Sequence, residues 1–92
     1  MWLARISVTL KPVVNDPQGL AIQGGLRQLG FEAVRSVRAG KLLEVVLDVE
    51  RHDEAAREVE EMCRRLLANP VIEDFSFELE QRSETASAPA SG

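Results

Sequence analysis

Glu73 and Asp74 stand side by side in the stretch LLANPVIEDF, residues 66–75. Two neighbouring carboxylates could act as general acid and general base if both reached one substrate atom. Three other groups invite chemistry. Cys63 could be a nucleophile, His52 a base or ligand, and Gly40-Lys41 the end of a phosphate-cradling loop. Each must be positioned by an element, and the elements decide against all four.

The segment after Pro70 alternates, with Val71, Phe75, Phe77 and Leu79 on one side. Alternation predicts a strand, in which successive side chains point to opposite faces. Glu73 and Asp74 then cannot converge, and the stretch reads as a helix-to-strand junction. Pro70 disfavours a helical Asn69, so the preceding helix should end near Ala68. That helix is expected to begin near Asp53 as its cap. An apolar stripe of Ala55, Ala56, Val59, Met62, Cys63, Leu66 and Leu67 faces inward. Cys63 lies on this stripe with no histidine to activate it, and buried cysteine behaves as a small hydrophobe. His52 is the single histidine of the chain and has no cysteine or second histidine close in sequence. Alone it makes no zinc site. A phosphate loop needs a glycine five residues before Gly40 and a Ser or Thr after Lys41, where Arg35 and Leu42 stand. Gly24-Gly25 lacks the third glycine of a dinucleotide fingerprint.

The remaining elements follow from the same periodicities. From Trp2 to Lys11 the residues alternate, with Ala4, Ile6, Val8 and Leu10 on one side. In NDPQG, Asp16 is placed to cap a helix and Pro17 to occupy its first position. Ile22, Leu26 and Leu29 recur on one face of that helix, with Gly25 packing closely on the sheet and Gly30 as the left-handed stop. Segment 33–39 is a weaker strand, Gly40-Lys41 a turn, and 42–50 a strand carrying Leu43, Val45, Leu47 and Val49 on one face. The order β-α-β-β-α-β predicts an α+β fold: a ferredoxin-like two-layer sandwich with a four-stranded antiparallel sheet and two helices on one face. Residues 1–80 form one domain. Residues 81–92 lose all apolar period and read as a disordered tail.

The chain has 92 residues, 45% hydrophobic content and a formal net charge of -4. That suits one small domain for which association is a reasonable expectation. The acidic balance argues against a nucleic-acid backbone partner. An RNA-binding sheet would also need aromatic residues on its central strands for base stacking. The first and third strands carry Leu, Ile and Val with Trp2 alone at the margin, and Phe75 and Phe77 share the inward parity of Leu79. One cysteine fits a reducing cytosol. No stretch has the length of a membrane span, so a cytoplasmic protein is expected.

Two features suggest contact with other chains. The sheet face away from the helices carries Leu3, Leu42, Val46 and Ile72 among charged residues, an apolar set that suits an oligomer interface. Gly24 falls opposite Gly25, where another backbone could approach.

Four stretches in register carry a resemblance: VTLKPVVNDPQG at 8–19, LRQLGF at 26–31, VRAGKLLEVVLD at 37–48 and CRRLLANPVIEDF at 63–75. Together, over about residues 3–80, the chain resembles PurS, the small subunit of phosphoribosylformylglycinamidine synthase. The resemblance implies a non-catalytic accessory subunit of de novo purine biosynthesis. It would join a large ATP-dependent synthetase subunit to a glutaminase subunit, support ammonia transfer, and form a homo-oligomer, either a dimer or a dimer of dimers. ATP and Mg would belong to the complex, and this chain would bind no cofactor and no metal. Asp16, Pro17, Gln18 and Gly19 match the family's DPQG turn, Gly40 and Lys41 its GK, and Asn69, Pro70 and Glu73 its NPVIE junction. Asp16, Gln18, Gly19, Gly24, Lys41, Asn69 and Glu73 are therefore the candidate partner contacts. Val13-Val14 departs from the family pattern. The alternative from another class is a regulatory ligand-binding module of the ACT type, which shares the element order.

Overall fold

The computed structural model describes residues 1–82. Strand β1 spans Trp2–Leu10, helix α1 Pro17–Gln28, strand β2 Gly40–Leu47, helix α2 His52–Met62 and strand β3 Glu73–Gln81. The sheet has the order β2-β1-β3, and both pairings are antiparallel. In the register Ile6 stands between Leu43 and Phe77, and Arg5 between Glu44 and Glu78. Apolar residues therefore collect on one face. Ala4, Ile6 and Val8 are buried there against Val59 and Cys63 of α2 and its extension. Phe75, Phe77, Leu79, Leu43 and Val45 pack around that core.

The sheet has three strands where four are expected. The missing one is segment 33–39, and the cause is local. Gly40 and Lys41 do not form a turn; they are the first residues of β2 and pair with Thr9 and Val8. The backbone before them is held by side chains instead of a ladder. Arg27 donates to the Val34 carbonyl at 3.1 and 2.8 Å, Asp16 accepts from Ala39 N–H at 2.9 Å, and Arg38 donates to the carbonyls of Leu10 and Lys11.

Helix α1 starts and stops as its sequence requires. Asp16 caps it through Gly19 N–H, Pro17 opens it, and Gly30 at φ 100° ends it. Phe31 N–H then bonds back to the Leu26 carbonyl and Gly30 N–H to that of Arg27, the six-to-one and five-to-two pair of a Schellman stop. The expected packing is absent, however. Only Gly19 of this helix is buried, while Leu20, Ile22 and Leu29 are exposed, Leu29 at 76%. Gly25 has open space around it, so it makes no close approach to the sheet.

Helix α2 begins two residues earlier than expected. Arg51 is its cap position, and Asp53 lies in the first turn, paired with Arg51 at 3.1 Å. That guanidinium lowers the Asp53 pKa below its usual value. Beyond Met62 the helix widens into a turn over Cys63–Leu67, closed by Ala68 N–H on the Cys63 carbonyl at 2.9 Å. The extra residue in that turn rotates the apolar stripe, which leaves Leu66 82% exposed although Cys63 is fully buried.

The helix-to-strand junction is a built turn. Asn69 Oδ1 accepts Val71 N–H at 3.1 Å, and the Asn69 carbonyl accepts Ile72 and Glu73 N–H groups. Glu73 Oε1 accepts Asn69 N–H at 2.7 Å in return. Val71 sits in this turn, exposed, and not on the strand's inner face. Asp74 points to the other side of the sheet and pairs with Lys11 at 2.8 Å. The two adjacent acids serve different faces. The strand continues through Gln81, one residue past the expected domain end, and Arg82 N–H bonds to the Met1 carbonyl. The rest of the expected tail lies outside the described residues.

Candidate partner interface

Asp16 is the organising residue of the α1 junction. It is 8% exposed, and its two oxygens are divided between two segments, Oδ1 to Gly19 N–H at 3.0 Å and Oδ2 to Ala39 N–H at 2.9 Å. One carboxylate thus ties the start of α1 to the start of β2. These N–H donors, Ala39 first, hold its pKa below the usual carboxylate value, with help from the Arg38 charge. A depressed folded-state pKa adds stability above the unfolded value of about 4, and that stability is lost as pH falls through the folded value. Asp16→Asn should therefore melt roughly 5 °C lower than the parent at pH 7. The gap should begin to narrow at about pH 4, the unfolded value, and close only as pH falls below the depressed folded-state value. Thermal melts of both chains from pH 7 to pH 3 check this; a gap independent of pH would contradict it.

Gly19 and Gly40 are required by close approach. A methyl on Gly19 would lie 2.6 Å from Asp16 Oδ2 and inside the contact distance of the Val37 carbonyl. On Gly40 it would meet Thr9 Cγ2 at 2.7 Å and crowd the Val8 carbonyl. Gly24 has nothing within 4 Å, so its backbone is bare to solvent.

Gln18, Lys41 and Glu73, distant in sequence, line one cleft with Thr9, Asp16 and Gly40. Asn69 reaches this group only through Glu73. On the open face of the sheet, Arg5 bridges Glu44 at 3.3 Å and Glu80 at 2.7 Å. Leu42 and Val46 are exposed on this face, whereas Ile72 is exposed in the turn before β3 and not on the strand. Leu3 is not available with them, because it is buried to 2% within the protomer. A further set of exposed apolar residues lies on α1 and its exit, with Leu20, Ile22, Leu29 and Phe31 exposed. Part of it carries a sequence signal, the recurrence of Ile22, Leu26 and Leu29, which is expected to face the protomer's own sheet.

Among the described residues, no three His, Cys, Asp or Glu side chains gather as metal ligands. Burial pushes the Cys63 thiol pKa up, away from the thiolate a nucleophile needs. Among the described residues no helix is long and apolar enough to cross a membrane.

The exposed apolar helix, the bare glycine backbone and the charged open sheet face define a small α+β interaction subunit. Residues 3–81 match the family model described as PurS, phosphoribosylformylglycinamidine (FGAM) synthase. The chain belongs to the PurS family. It is 48% identical over 75 residues to the synthase subunit PurS of Synechocystis, covering 82% of this chain and 75% of that one. The crystal structure of PurS from Methanocaldococcus jannaschii superposes with a TM-score of 0.79 at 38% identity, over 90% of this chain and all of that one. A chain in the structure of PurLQS from Thermotoga maritima superposes with a TM-score of 0.76 at 27% identity, over 87% and 99% of the two chains.

Proposed function

We propose that this chain is the accessory, non-catalytic subunit of a cytoplasmic phosphoribosylformylglycinamidine synthase in de novo purine biosynthesis. It joins the ATP-dependent synthetase subunit to the glutaminase subunit and supports the transfer of ammonia released from glutamine. ATP and Mg are handled by the large subunit. The observation that carries this reading is the likeness to a chain of PurLQS along nearly its whole length.

The exposed face of α1 supports a second part of the proposal, self-association into a dimer or a dimer of dimers. A 12-residue helix that buries only one glycine is marginal in water. Covering Ile22 and Leu29 with a second copy removes that weakness and hides apolar area. Asp16, Gly19 and Asn69 shape the surface offered to partners, while Gln18, Lys41 and Glu73 line its polar cleft. Gly24 is proposed as a point of close backbone approach.

The test is co-expression of this chain with its synthetase and glutaminase partners, followed by capture through a tag on one of them. In ATP- and glutamine-containing buffer the three should elute together. Elution of this chain apart from the other two would reject the reading.

A further inference from the structure

Strand β3 has a free edge. The order β2-β1-β3 leaves its outer side without a neighbouring strand among the described residues. Its register with β1 fixes which backbone groups face that side. Lys11 N–H bonds to the Ile72 carbonyl and Arg82 N–H to the Met1 carbonyl, so residues of even number turn toward β1. Phe75, Phe77, Leu79 and Gln81 therefore aim both N–H and carbonyl outward, and no described residue takes these groups up. The side chains of Phe75, Phe77 and Leu79 lie half-buried along the same edge, on the core face. The opposite face of the strand carries Asp74, Glu78 and Glu80, and β3 as a whole has four acids and no base. Lys11 engages Asp74 and Arg5 engages Glu80. Glu78 has no hydrogen bond or ion pair among the described residues.

We infer that the free edge of β3 receives an extended segment of a different subunit, one that alternates apolar residues with Lys or Arg. Its backbone completes the ladder, its apolar residues extend the core beside Phe75, Phe77 and Leu79, and a cation lies beside Glu78. A second copy of this chain does not fit the edge. When two β3 strands pair antiparallel about a two-fold axis, an axis at Ser76 sets Asp74 opposite Glu78. An axis at Phe77 sets Asp74 opposite Glu80, and one at Glu78 sets that residue opposite itself. Docking β3 on the β2 edge of another copy leaves a free β2 and a free β3 at the two ends, so the array grows without closing. The acids thus repel this chain's own copies and favour a basic partner. The inference rests on the assembly reading above and adds to it the edge used and the chemistry of its occupant.

The experiment measures hydrogen exchange of single amides in this chain alone and in the reconstituted three-component complex. It also compares the affinity of parent, Glu78→Gln and Glu78→Lys for the partners by interferometry. The amides of Phe75, Phe77, Leu79 and Gln81 should exchange fast in the isolated chain and roughly tenfold or more slower in the complex. Those of Ser76 and Glu78, already turned toward β1, should be slow in both. Glu78→Lys should weaken association roughly tenfold and Glu78→Gln roughly threefold. Unchanged exchange at the four outward amides on assembly would overturn the inference, and so would equal affinity of the parent and both variants. Slow exchange of those amides in the isolated chain would also overturn it, since a second copy would then hold the edge. Failure of the parent to assemble at all rejects the assembly reading itself, so the two failures are distinguishable.

Discussion

Gly19→Ala is expected to lower the stability of the chain by about 3 kcal/mol. For a domain of this size that is a fall of roughly 12–24 °C in melting temperature. The added methyl cannot be placed without moving the Val37 carbonyl or the Asp16 carboxylate. Neither moves freely. Asp16 is buried and holds both Gly19 and Ala39, so displacing it releases the helix cap and the entry into β2 together. Gly24→Ala is the internal control, because the same helix offers open space there. Alanine is the better helix former by about 0.5–1 kcal/mol, so the isolated chain should gain slightly. If a partner backbone approaches Gly24, the same substitution should weaken association. Denaturation melts of both variants decide the first point: a Gly19→Ala chain as stable as its parent would show that the junction is slack.

Leu29→Asp combined with Phe31→Asp should convert the proposed oligomer to monomers at micromolar concentration. In the protomer both side chains are exposed, Leu29 at 76% and Phe31 at 57%, so the substitutions remove little from its own core. Across an interface each would bury a charge in an apolar contact. The loss should raise the dissociation constant roughly 30-fold or more. Light scattering on the purified chain reads the mass directly. An unchanged oligomer would place the second copy elsewhere, with the exposed Leu42 and Val46 of the open sheet face next in order.

Much of the fold was legible because local physics set it. Asp16, Pro17 and Gly30 bound α1 by backbone rules, and the alternation of β1 and β3 places Ile6 and Phe77 on one face. The split of Glu73 and Asp74 follows from the same alternation. What was not legible depends on who pairs with whom. Segment 33–39 has strand-like residues, yet its backbone groups are taken up by Asp16, Arg27 and Arg38, which no periodicity reports. The face of α1 showed a clear apolar recurrence, but a pattern says only that a surface is to be covered, never by which chain. The widened turn after Met62 shifted Leu66 out of the stripe by adding one residue to a period assumed constant. In the candidate interface, the residues of the DPQG and NPVIE turns were found by type. The meeting of Asp16, Gln18 and Glu73 with Lys41 in one cleft required the register of β1 with β2 and β3. Glu73 also proved to have a structural task, accepting Asn69 N–H, which its position in sequence did not reveal.

The most direct measurement is turnover by the synthetase and glutaminase partners with and without this chain, using either glutamine or ammonium as the nitrogen source. A subunit that contributes surfaces and no reacting group should be needed for glutamine-dependent amidation. It should be dispensable when ammonium is supplied in excess, since the transfer it supports is then bypassed. Glutamine-dependent turnover that proceeds at the same rate without the chain would contradict this, as would an ammonium-dependent reaction that stops when the chain is left out.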